Sequence, residues 1–228
     1  MNGTYINHVQ RWIFLVMLGI FVSNQARASV TDSISTHYVN GEFITYYKVQ
    51  VKASDSICLA VSRYFVHGMC FQLDKLFGWA LKGMNLRKEH KELMMFYFKS
   101  TSYNTQNHIL RGVGDVIVPG IITIPDIYVD SRLSVLQSAH GIRAVNLNLV
   151  NASGFIKKMD TGFRVIPDIN QRTWLVLESH IQFGWFFDLF ITQNRFKSIM
   201  EWRLKRFVNN IKNEAERREK LQSINFKQ

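Results

Sequence analysis

The sequence has few of the residues that mark stapled domains, linkers or metal sites. Its 228 residues include three prolines and two cysteines, so neither a disulfide-rich scaffold nor a proline-rich linker is indicated. The histidines form no HExxH motif and no Cys/His cluster of metal spacing, and the chain contains no GxSxG, P-loop or dinucleotide glycine motif. We therefore expect no metal and no cofactor.

Acidic residues are scarcer than basic ones, 17 against 28, which gives a formal net charge of +11 and a pI near 9.8. Much of the excess lies in residues 195–228, which hold ten basic and four acidic side chains. If the protein is exported, such a segment meets anionic lipid headgroups more readily than nucleic acid, so no nucleic-acid partner is expected. The plainer alternative is the solvated outer face of a packed helix.

Long apolar runs are also rare, and the clearest lies near the N-terminus. Residues 12–22, WIFLVMLGIFV, follow an acid-free stretch ending at Arg11 and precede ARA at residues 26–28. This order is typical of a secretory signal peptide and predicts cleavage between Ala28 and Ser29. A membrane anchor is disfavoured because the run spans roughly 16 Å as a helix, about half of a hydrocarbon core. We expect an exported protein, periplasmic or extracellular after cleavage.

The apolar pattern predicts a strand, two short helices, about six further strands and a long terminal helix. Residues 43–51 alternate with period two, and Ser54 with Asp55 is typical of a helix start. Helices are therefore predicted at about 55–66 and 70–84. Period-two alternation then continues to about residue 183, before the long helix at about 185–220. This is an α+β chain with an antiparallel sheet of about six to seven strands.

The predicted boundaries are a signal peptide at 1–28, an N-terminal extension at 29–40, one domain at 41–220 and a C-terminal tail at 221–228. Cys58 and Cys70 fall in the apolar helical segment. In one continuous helix they are roughly 18 Å apart, too far for a disulfide, whereas a turn near Gly68 would bring them together. We expect buried free thiols.

Two segments carry a resemblance to a known family. KVQVKASDSICLAVSRYF, residues 48–65, is similar to a first strand running directly into a capped helix. GWFFDLFITQNRFKSIMEWRLKRFVNNIKNEAE, residues 184–216, is similar to the closing helix of lipid-transfer proteins. With the element order, they resemble the START-related, or Bet v 1-like (polyketide cyclase-like), helix-grip superfamily over about residues 43–215. The resemblance implies a curved sheet wrapped on the C-terminal helix, with a hydrophobic cavity between them.

The cavity in turn implies a set of lining residues. On the predicted strand 109–118, Gly112 and Gly114 share the apolar face and leave volume unfilled, although a bulge or bend of the sheet is the alternative. The residues expected to line the cavity are Gly112, Gly114, Leu175, Leu177, Phe196, Met200, Leu204 and Val208. Three basic residues lie between the apolar positions of the helix and are expected to face outward or flank the opening, where they would contact an anionic membrane: Arg203, Lys205 and Arg206.

The leading hypothesis is an exported protein that binds or carries a hydrophobic, lipid-like ligand. Two alternatives stay open. A cyclase or hydrolase on the same fold needs a buried His, Asp or Glu with a partner in the cavity, and an envelope interaction module without a ligand predicts a solid core. No catalytic residue is proposed, because His180 shares a strand face with Glu178 and Gln182, and that face is the wet one.

Overall fold

The computed structural model describes residues 32–72, 75–76, 79–80, 82, 95–118, 121–167, 173–185 and 191–225. The described residues form one sheet and two helices. The predicted signal peptide, with its cleavage site at Ala28 and Ser29, lies outside them. So do about half of the second predicted helix and the last three residues of the chain.

The sheet has eight described antiparallel strands in the order β1-β2-β8-β7-β6-β5-β4-β3. The strands are β1 (Ser33–Val39), β2 (Glu42–Val51), β3 (Met95–Asn104), β4 (Ile109–Val118), β5 (Ile122–Ser138), β6 (Gly141–Ala152), β7 (Ile156–Pro167) and β8 (Thr173–Phe183). The helices are α1 (Asp55–Phe71), between β2 and β3, and α2 (Gln193–Asn225), after β8. Strands β3 to β8 follow one another as neighbours, and β8 then returns to pair with β2.

The first strand lies in the segment 29–40 that the sequence assigned to an extension, so that assignment was wrong. Strand β1 pairs with β2 from Ser33, opposite Lys48, to Val39, opposite Glu42. Asn40 and Gly41 join the two strands, with φ of 52° and 81°. Two consecutive positive φ values are typical of the tight hairpin turn that Asn-Gly favours. The sheet therefore begins before residue 41 and has more strands than predicted.

Helix α1 is continuous through the place where the sequence allowed a turn. It runs to Phe71 without a break at Gly68. A Cβ at Gly68 would lie 2.8 Å from Leu76 Cδ2, so the glycine serves the packing of the following segment rather than a chain reversal. Cys58 and Cys70 consequently lie on one helix, and both are free. The expectation of free thiols is confirmed, but only Cys58 is fully buried, whereas Cys70 is half-buried.

Both thiols should be inert in the folded protein. Burial raises the pKa of Cys58 and that of Cys70 to about 12, and the thiolate is the reactive form. We expect Ellman's reagent to leave both unmodified in the native protein and to modify both after unfolding in guanidinium chloride, as measured by released thiolate. Fast reaction in the native state would contradict the burial, and no reaction after unfolding would indicate a disulfide.

The far end of α2 is bonded to the start of α1. The Glu216 carboxylate accepts a hydrogen bond from the backbone N of Lys52 at 2.9 Å. The Glu219 carboxylate accepts from the backbone N of Ser54 at 2.7 Å and from its hydroxyl at 2.8 Å. Ser54 precedes the helix as predicted, but its side chain makes no cap bond within α1. It bonds to the terminal helix instead.

One face of the sheet carries the core, and both helices pack on it. Along β2, the inward side chains alternate with half-exposed outward ones. Helix α2 packs on β1, β2, β8 and α1, whereas α1 packs mainly on β6 and β7. The predicted α+β helix-grip architecture, a curved sheet wrapped on a long C-terminal helix, is confirmed. Neither described helix is both long and apolar enough to span a membrane.

Candidate functional site

Helix α2 buries one stripe of side chains against the sheet and α1. The buried residues of the stripe are Phe196, Met200, Arg203, Leu204, Phe207, Val208, Ile211 and Ala215. They recur three or four positions apart and so share one side of the helix. The ring of Phe196 lies 4.0 Å from that of Phe43 on β2, and the ring of Phe207 lies 5.3 Å from that of Phe65 on α1. Aromatic contacts therefore pack α2 against the sheet at Phe196 and against α1 at Phe207.

Most of the predicted lining residues meet in this interior. The residues that belong to its buried cluster are Leu175, Leu177, Phe196, Met200, Leu204 and Val208. Gly112 and Gly114 are buried too, but β4 is four positions from β8 in the sheet, roughly 19 Å at ordinary strand spacing. The β4 and β5 pairing also shifts register after Gly114. The two glycines thus lie in a separate part of the concave face, beside the irregularity that the sequence left open.

The predicted outward position of Arg203 was wrong. Arg203 is 2% exposed, so a membrane surface has no access to it. The reason is helical geometry, because seven residues turn the helix by roughly 700° and bring Arg203 within about 20° of Phe196. Lys205 and Arg206 are exposed, and the Arg206 Nε donates a hydrogen bond to the Lys82 carbonyl at 3.4 Å.

A row of hydroxyl side chains crosses the concave face beneath the helices. Thr36 on β1 lies opposite Thr45 on β2, Thr45 lies opposite Ser179 on β8, and Ser179 lies opposite Thr161 on β7. All four are at most 5% exposed. The hydroxyls of Thr36 and Thr45 are 3.0 Å apart and hydrogen-bonded. The interior is therefore apolar with a polar line through its middle.

Sequence reasoning missed this row, although part of its signal was present. Thr45 occupies a position of the same parity as the apolar residues of β2, and Ser179 does so in β8. A hydroxyl at an inward position is common in strands and draws no attention by itself. The hydroxyls form a row only through the register of β1, β2, β8 and β7, which brings together residues up to 143 positions apart in the sequence.

The titratable cluster of the central strands lies on the opposite, outer face. His180 Nδ1 is 2.7 Å from Glu42 Oε1, and Lys158 Nζ donates to the same carboxylate at 3.0 Å. Burial acts to raise the pKa of Glu42, but hydrogen bonds from Lys158 and His180 outweigh it and lower the pKa. His180 Nε2 is 3.4 Å from Glu178. No group of three or more His, Cys, Asp or Glu among the described residues is placed to hold a metal ion.

No protein-family model and no curated sequence matches the chain. Among solved structures, a START superfamily protein from Mycobacterium smegmatis is 12% identical over 76% of this chain and 97% of its own, with a TM-score of 0.45. The Zhui aromatase/cyclase from Streptomyces sp. R1128 is 14% identical over 78% and 95%, with a TM-score of 0.42. Norcoclaurine synthase from Thalictrum flavum, in complex with dopamine and hydroxybenzaldehyde, is 12% identical over 84% and 95%, with a TM-score of 0.41.

The order and pairing of the chain's own strands and helices define its architecture. Its sheet runs from a first hairpin through α1 into six consecutive strands, and the concave face closes on one long terminal helix. With that element order and that closing helix, the chain has the helix-grip fold that the sequence predicted.

Proposed function

We propose that the protein binds a hydrophobic, lipid-like small molecule between the inner face of its sheet and α2. The observation that carries this proposal is the chemistry of that face. The inward positions of β2, β7 and β8 carry mostly large apolar side chains, and the polar groups among them are hydroxyls. Apolar walls with a few polar groups are typical of sites for small hydrophobic molecules.

The β4 end of the concave face supports the same proposal. Gly112 and Gly114 place no side chain on the inner face there. Both described helices pack mainly on other strands, α2 on β1, β2 and β8 and α1 on β6 and β7. Because glycine has no side chain, these two positions take up less of the inner face than the apolar residues of the neighbouring strands.

The position of the titratable groups favours binding over cyclase or hydrolase chemistry. General acid–base catalysis needs an imidazole or carboxylate within hydrogen-bond reach of the ligand. The inward positions of β2, β7 and β8 present hydroxyls, whereas the His180 and Glu42 pair lies on the outer face. We therefore consider ligand binding or transport the first candidate function and cyclase or hydrolase activity the second.

We also propose that the protein is exported and that α2 contacts an anionic membrane. The signal-peptide pattern of residues 1–28 supports export. Lys205 and Arg206 remain exposed on α2 and supply positive charge close to the interior that the ligand would enter. Positive charge beside the site would hold a carrier at an anionic lipid surface while its ligand enters or leaves.

Native mass spectrometry of the protein purified from the envelope of its host tests these proposals together. We expect a chain that begins at Ser29 and carries a bound apolar molecule, released and identified after denaturation. An unrelated envelope protein taken through the same purification controls for adventitious lipid. A chain that retains residues 1–28 would contradict export. A mass without ligand in repeated preparations, together with no uptake of a neutral apolar dye, would contradict binding.

A matched pair of variants locates the ligand. Gly112→Val adds volume to the inner face of β4, and Val113→Ile adds volume to the half-buried outer side of the same strand. We expect the first variant to lower ligand occupancy and the second to leave it unchanged. Equal occupancy in both would place the ligand elsewhere.

A further inference from the structure

Two hydroxyls of the concave row stand apart from the rest. Within the part of the chain that the structure describes, Thr161 Oγ1 and Ser179 Oγ are buried without a hydrogen-bond partner. Both residues are 1% exposed. By contrast, the Thr173 hydroxyl, on the same strand as Ser179, donates to the Ala53 carbonyl at 3.0 Å. A buried hydroxyl that forms no bond costs free energy, so two of them side by side call for a physical reason.

The surroundings of the pair are entirely apolar along both strands. Ser179 lies between the inward side chains of Leu177 and Ile181, which are 0% exposed. Thr161 lies between those of Met159 and Phe163, which are at most 2% exposed. Neither hydroxyl therefore gains from its neighbours along the strand.

The pair also lies on the sheet at the boundary between the strands that α1 covers and those that α2 covers. Strand β8 is packed by α2, and β7 is packed by α1. The ring of Phe163, two residues from Thr161, is 6.5 Å from that of Phe65 on α1. The two hydroxyls thus face the seam between α1 and α2, close to the predicted lining residue Leu177.

We propose that Thr161 and Ser179 are the polar anchor of the ligand site and together hold one neutral oxygen, a hydroxyl or a carbonyl, of an otherwise apolar ligand. This inference rests on the proposed function. Residues directly opposite in an antiparallel pair have Cβ atoms about 5 Å apart, so both hydroxyls can reach a single oxygen. The side chains that now cover the pair must part to admit it.

The chemistry of the pair selects a neutral group. A hydroxyl can donate and accept, so two of them suit a carbonyl that accepts twice or an alcohol that does both. An ionised headgroup would lose its hydration here without gaining a charged partner from the two hydroxyls, which disfavours it. The ligand class is therefore an apolar molecule with an alcohol, ketone or ester oxygen near the middle of the sheet.

Two matched substitutions test the inference with the full mature chain. Thr161→Val and Thr173→Val each replace a hydroxyl by a methyl of the same shape, but only the Thr173 hydroxyl is hydrogen-bonded. Binding is measured with the neutral fluorescent dye N-phenyl-1-naphthylamine and its displacement by 1-decanol or 1-chlorodecane. Thermal unfolding of the ligand-free variants is the second readout.

We expect Thr161→Val to retain or raise the unfolding temperature and to weaken 1-decanol binding by about fivefold, the effect of one hydrogen bond. Its affinity for 1-chlorodecane should not change. Thr173→Val should lower the unfolding temperature and leave both affinities intact. If no dye binds to the unaltered protein, the proposed function fails and the inference with it. Dye binding with an unchanged 1-decanol affinity, or a lower unfolding temperature for Thr161→Val, overturns the inference alone.

Discussion

Gly141→Ala is expected to lower the free energy of unfolding by about 3 kcal/mol, because overpacking against backbone cannot be relieved by a change of rotamer. Gly141 begins β6 at the point where α1 crosses the sheet. A Cβ at this position would clash with the carbonyl group of Leu59 and the backbone N of Ala60. Only a displacement of α1 from β6 makes room. Urea unfolding followed by circular dichroism measures the loss.

Gly154→Ala is the matched control for this prediction. Gly154 has φ of 76°, and a Cβ there would meet nothing within 4 Å. The substitution should cost about 1 kcal/mol through backbone strain alone. If the two variants lose equal stability, the close approach of α1 to β6 does not set the cost at Gly141.

Phe207→Ala is expected to lower the free energy of unfolding by about 4 kcal/mol and the unfolding temperature by roughly 10 °C. The Phe207 ring is 1% exposed and stacks edge to face with Phe65. Its removal leaves a cavity at the junction of α1 and α2, which the surrounding helices can close only in part. Differential scanning calorimetry gives the change in unfolding temperature.

Leu221→Ala, on the same helix, separates the loss of packing from any loss of helix propensity. Leu221 is 47% exposed, and alanine favours helix at least as well as leucine. We expect a change within about 0.5 kcal/mol. A large loss at Leu221 would mean that the end of α2 has a buried contact beyond those described.

The elements that the sequence predicted well are those whose signal is local. The alternation of residues 43–51 gave β2, and Ser54 with Asp55 marked the start of α1. The apolar residues predicted on the inner side of the terminal helix, from Phe196 to Val208, all belong to the buried stripe of α2. In each case the pattern lies within one element, so no knowledge of its neighbours was needed.

What the sequence could not predict depends on neighbours. The first strand, β1, is largely polar and forms because it pairs with the free edge of β2. In the sequence, only Asn40-Gly41 indicated the turn between them. Arg203 is charged, so residue type placed it outside, yet its angle on α2 places it inside. The pairing of Thr161 with Ser179 follows from strand register, which no local pattern specifies.

The hydrogen bonds from Lys52 and Ser54 to Glu216 and Glu219 join residues that lie far apart in the sequence, so they can form only late in folding. Strands β1 and β2 come first in the chain, but β2 can pair with β8 only after residues 173–183 are available. The residues at the start of α1 likewise form their hydrogen bonds only with the far end of α2. Pairings so distant in sequence form slowly. Until about residue 219 is available to the folding chain, the part of the apolar inner face that α2 covers in the folded protein stays exposed. A chaperone that shields this face is therefore expected to matter more for this protein than for a helical one of equal length.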